Sequence, residues 1–115
     1  MSLADNKCVA CRGDIPPMLP DRIEGLLKEL GAGWALNGQG HLERQYPFKD
    51  FADALSFVNK VGAVAEQEGH HPDLYLSWGK VRIEIWTHKI SGLTDSDFYL
   101  AAKADREFGP FVGRT

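Results

Sequence analysis

The sequence is short of several things, and each shortage removes a class of function. It has no uninterrupted apolar run of the roughly 18 residues that marks a membrane-spanning helix, so no membrane span is expected. It has no excess of positive charge. Lys and Arg number 13 against 16 Asp and Glu, a formal net charge of -3, which leaves no basic footprint for nucleic acid. No cationic stretch leads into an apolar segment at the N-terminus, so no secretory signal is expected and a cytoplasmic location is the default. The only cysteines are Cys8 and Cys11. Their C-x-x-C spacing is half of an all-cysteine zinc site, or a redox pair. No further cysteines exist to complete a zinc site, and Gly13, Pro16 and Pro17 follow where a thioredoxin-like motif needs a helix. An N-terminal arm bearing two thiols is the expectation.

What remains is the composition of one soluble globular domain: 115 residues, 43% hydrophobic and 25% charged. Residues 1–19 read as an irregular arm, 20–109 as the domain and 110–115 as a short tail. Ile23, Leu26, Leu27 and Leu30 recur at helical spacing, with Pro20 suited to the first turn and Gly31 to the stop, so a helix is expected over 20–30. Trp34-Ala35-Leu36 and 41–48 read as strands around the turn residues 37–40. Asp50 is a candidate N-cap for a helix that runs to about Glu68 and stops at Gly69. A hairpin over 73–88 follows. Thr94 with Asp97 resembles a capping box opening a last helix to about Phe108. The order helix, hairpin, helix, hairpin, helix predicts an α+β fold, a four-stranded antiparallel sheet with three helices on one face.

The stretch from Glu66 to His88 holds three of the four histidines, His70, His71 and His88. Taking Gly79-Lys80 as a two-residue turn, the hairpin register sets Leu76 opposite Ile83, Leu74 opposite Ile85 and His71 opposite His88. Leu74, Leu76, Trp78, Val81, Ile83 and Ile85 then share one face. Imidazoles gathered at a strand end can move protons near neutral pH. Glu66, one helical turn before the pair, is placed to accept a hydrogen bond from an imidazole. Trp34, Trp86 and Tyr75 are candidates to stack on a flat ligand. His41 reads as a filler. A metal centre is disfavoured, because adjacent histidines on an extended chain point to opposite faces and no H-E-x-x-H is present.

Three strings together, E-x-x-x-H-H-P from Glu66, W-T-H ending at His88 and G-L-T-x-x-D-F from Gly92, resemble the pterin-4a-carbinolamine dehydratases. The resemblance runs from about Leu19 to Phe108. It implies the same sheet-and-helix architecture and removal of water from a 4a-hydroxytetrahydropterin, giving the quinonoid dihydropterin in tetrahydrobiopterin recycling. It implies His70 and His88 as general acid–base groups and Glu66 as the carboxylate that supports the histidines. His71, Pro72 and Thr87 are implied as pterin contacts, with Trp34 added as a stacking candidate. No metal and no cofactor are implied. The expected partners are the pterin substrate and further copies of the chain, as a homodimer or homotetramer. The family also implies two alternatives, a dimerisation or coactivator module and a pterin-binding role such as one in molybdopterin metabolism. A degenerate, inactive relative is argued against by the intact histidines. One departure stands out: many relatives carry Asp immediately before the histidine pair, and this chain carries Gly69.

Overall fold

The structure, a computed structural model, describes residues 3–8, 16 and 18–113. Cys11 lies outside them. Helix α1 spans Pro20–Leu30, with proline in its first turn and Gly31 at its end. Strands β1 (Ala35–Leu36) and β2 (Leu42–Pro47) form the first hairpin. Helix α2 covers Phe51–Glu68. The Asp50 carboxylate caps it by accepting from the Asp53 N–H at 2.9 Å. Strands β3 (Asp73–Ser77) and β4 (Lys80–Ile85) form the second hairpin, and α3 (Asp95–Phe108) closes the domain. Among the described residues no helix is long and apolar enough to cross a membrane.

The strands make one antiparallel sheet in the order β1-β2-β4-β3, so the expected α+β architecture is the observed one. In the β2–β4 ladder Leu42 pairs with Ile85 and Tyr46 with Val81. Period-two alternation therefore turns Leu42, Tyr46, Val81, Ile83 and Ile85 to the same side, and all five are fully buried. Leu26 from α1, Ala54, Phe57 and Val61 from α2, and Phe98, Leu100, Ala101 and Ala104 from α3 join them in one core cluster. Arg44 shares this inward face. Its charge is met by Asp105 of α3 at 2.9 Å, and its guanidinium sits 4.4 Å from the centre of the Tyr46 ring. Burial and the Asp105 charge push the Tyr46 phenol far up, so it remains a donor to Asp105.

The second hairpin differs from the sequence expectation. Its turn is Trp78-Gly79, and the pairs are Ser77 with Lys80, Leu76 with Val81 and Leu74 with Ile83. The cause lies outside the hairpin. Phe48, just past β2, donates its N–H to the Gly79 carbonyl at 2.9 Å. A Cβ at position 79 would come within 3.1 Å of the Phe48 oxygen. Glycine is thus placed where a second backbone passes, rather than at the first corner of the turn. A slip of two residues keeps every side chain on its face, so the apolar stripe is unchanged except at Trp78, which sits in the turn and is 66% exposed. The slip does undo the pairing of His71 with His88: the ladder ends at Asp73 opposite Glu84.

The described part of the arm is more ordered than expected. Leu3–Asp5 forms a turn of 3-10 helix against α3. Lys103 donates to the Ala4 carbonyl at 2.8 Å, and Arg106 pairs with Asp5 at 2.7 Å.

Candidate active site

Gly69 ends α2 in the left-handed conformation (φ 67°), with its N–H returned to the carbonyls of Ala65 and Glu66. Glycine reaches that region without a Cβ penalty, which accounts for the residue standing here. The reversal turns the His70 ring inward, leaving that residue 9% exposed. Its Nε2 lies 2.5 Å from Oδ1 of Asp97. Asp97 is fully buried at the third position of α3. Its other oxygen accepts from the Thr94 N–H at 2.8 Å and from the Thr87 hydroxyl at 2.7 Å. One carboxylate therefore caps α3, anchors the end of β4 and holds an imidazole.

Thr87 is joined to Gly92 by backbone bonds, which close the segment 87–92 into a short loop. His88 opens a single 3-10 turn there and is exposed. Its ring lies against Trp86, centroids 4.2 Å apart and planes inclined by 38°. His71 Nε2 lies 2.6 Å from Glu66 Oε1. Those two side chains are 59% and 80% exposed, so solvent screens the pair and its role is orientation more than stability. Pro72 follows, half-buried.

Glu66, His70 and His71 lie where α2 leads into β3 and His88 lies just past β4, with different supports from those anticipated. Glu66 holds His71, while His70 is held by Asp97. The sequence showed Asp97 only as a helix cap. The 87–92 loop delivers it to His70, and nothing periodic encodes that loop. Two residues expected as ligand contacts are buried in the free chain. Thr87 is 2% exposed, with its hydroxyl committed to Asp97 and Thr94. Trp34 is 6% exposed, donates Nε1 to Asp105 at 3.0 Å and meets Tyr46 edge-on, so its faces are not offered to a flat ligand. Among the described residues no three His, Cys, Asp or Glu side chains gather as a metal-holding group. Cys8 is not poised for thiolate chemistry. Burial, then the Glu68 charge, pushes its thiol up to about 12, and its Sγ donates to the Ser96 carbonyl at 3.5 Å.

The outer face of the sheet carries a second carboxylate worth weighing. Glu84 stands directly opposite both Glu43 and Asp73, an arrangement of like charges that costs stability unless offset. Burial would raise its carboxyl. Hydrogen bonds from His41 at 2.7 Å and Asn37 at 2.8 Å, with the charges of His41 and Arg82, outweigh that and hold it below its ordinary 4.5. A depressed folded-state value stabilises the fold above the unfolded value and is lost as pH falls through the folded one. Wild-type Tm is therefore expected to drop on acidification below about pH 4.5, and Glu84→Gln to lack that component. Parallel melting curves of the two proteins at stepped pH check this.

An open four-stranded antiparallel sheet, backed by three helices and carrying histidine–carboxylate pairs at one end, defines a small α+β domain. The chain belongs to the pterin 4 alpha carbinolamine dehydratase family, whose model matches residues 16–107. A protein of Rickettsia bellii, provisionally named pterin-4-alpha-carbinolamine dehydratase, is 55% identical over 104 residues, covering 90% of this chain and 92% of its own length. A protein of Alkaliphilus metalliredigens with the same provisional name is 48% identical over 106 residues, covering 92% and 96%. The crystal structure of a transcriptional coactivator/pterin dehydratase from Brucella melitensis superposes with a TM-score of 0.76 at 28% identity, covering 81% of this chain and 99% of that one.

Proposed function

We propose that this chain removes water from a 4a-hydroxytetrahydropterin by histidine general acid–base catalysis, a step in tetrahydrobiopterin recycling. The observation that carries this reading is the His70 imidazole held by buried Asp97 within a chain of this family. Hydroxide is a poor leaving group, so the C4a–O bond needs a proton on oxygen as it breaks. The N5 lone pair forms the C4a=N5 bond, and N5 then gives up its proton. His88, open to solvent, donates to the departing oxygen and is recharged from water. His70 takes the N5 proton. With Nε2–H directed at Asp97, the neutral ring presents Nδ1 as its lone pair. His88 has given one proton and His70 has taken one, so the net charge of the protein is unchanged through the step, and the cycle closes when His70 releases its proton to solvent as His88 regains one. His71, oriented by Glu66, and Pro72 border the pterin. Thr87 and Asp97 act behind the histidines.

The test is stopped-flow mixing of the protein with freshly generated 4a-hydroxytetrahydropterin, following the absorbance of the quinonoid product. Formation well above the spontaneous rate, scaling with protein concentration, is expected. A rate equal to the uncatalysed one at every concentration would refute the reading.

A further inference from the structure

Leu42 pairs with Ile85, so the next positions outward set His41 across from Trp86. Their rings are stacked, with centroids 4.0 Å apart and planes within 3°. His41 is fixed at its edge as well. Its Nδ1 lies 2.7 Å from an oxygen of Glu84, a carboxylate only 6% exposed that also takes the Asn37 amide at 2.8 Å. Trp86 in turn lies against His88. We propose that His41 is a positioning residue for His88: Glu84 and Asn37 fix the His41 ring, that ring fixes the Trp86 indole, and the indole sets the plane of His88. The inference rests on the proposed role of His88 in proton transfer.

The physical need is plain. His88 is exposed at the head of a single turn of 3-10 helix, and its described ring contact is Trp86. A side chain so placed samples several rotamers, and proton transfer falls off steeply when donor and acceptor lose alignment. The indole can supply a fixed wall only if it is itself held. Trp86 is half-buried at the strand end, where the stack with His41 supplies that hold. His41 belongs to a different hydrogen-bond network from the His70–Asp97 pair, so its effect is expected through His88 alone.

The test combines a spectrum and a rate. His41→Gln keeps a side-chain donor for Glu84 while removing the flat ring, and His41→Phe keeps a flat ring without the donor. In wild type the His88 ring protons should resonate upfield, shielded by the indole. His41→Gln is expected to move them toward free-histidine positions and to lower kcat about ten- to a hundredfold with KM little changed. Trp86→Phe, which keeps a stacked ring, should recover most of both, and His41→Phe, whose ring Glu84 no longer holds, only part. Wild-type His88 resonances together with wild-type kcat in His41→Gln would overturn the proposal. The NMR readout needs no turnover: an inactive wild type would sink the dehydratase reading, while the His88 shifts would still decide the bracing.

Discussion

Alanine in place of His88 is expected to lower kcat for dehydration by about 10²–10⁴-fold, the usual worth of one positioned proton transfer. Tm should stay within the narrow range of surface substitutions, because the His88 side chain is exposed. His70→Ala is expected to cost a similar factor in rate with a different companion. His70 is 9% exposed and bonded to a fully buried carboxylate, so its removal leaves Asp97 one partner short. A loss of about 1–3 kcal/mol in stability should accompany the slower chemistry. Stopped-flow rates and denaturant melts of the two variants check both halves. Wild-type rates in both would remove the imidazoles from the reaction.

The second large effect falls on Asp97. Asp97→Ala strands the Thr94 N–H, the Thr87 hydroxyl and the His70 ring in a buried place, and a loss of about 3–5 kcal/mol is expected. Asp97→Asn is the sharper probe, since it keeps the shape. Its amide oxygen can still accept from Thr94 and Thr87, but its nitrogen now donates toward His70 Nε2. The neutral ring must then carry its proton on Nδ1, and the lone pair offered to the pterin is lost. Catalysis should fall on the order of 10²–10⁴-fold with most of the stability retained. Near-normal kcat in Asp97→Asn would show that the tautomer of His70 does not matter.

Much of the fold was legible because local chemistry writes it. Pro20, Asp50, Gly69 and the Thr94–Asp97 box mark helix ends through backbone donors and conformations that only a few residue types satisfy. Alternating apolar residues marked the inward face of β2 and β4. The hairpin register was not legible, because it answers to Phe48, a residue 31 positions before Gly79 in the chain. The site divides the same way. The histidines and Glu66 stand out by spacing and by family resemblance. The service of Asp97 to His70 depends on a loop closed by Thr87 and Gly92, and that of Glu84 to His41 on strands distant in sequence. Trp34 looked available for stacking because exposure cannot be read from residue type; its indole N–H is spent on Asp105 in the core.

The proposed reaction requires His70 and His88 to serve one pterin although they have separate supports in the free chain. A crystal structure of the protein with a bound 7,8-dihydropterin measures that directly. His70 Nδ1 is expected within about 2.6–3.2 Å of the ring N5, or one water away, and the His88 ring on the side of C4a from which the hydroxyl leaves. A pterin bound elsewhere, or touching only one of the two imidazoles, would contradict it.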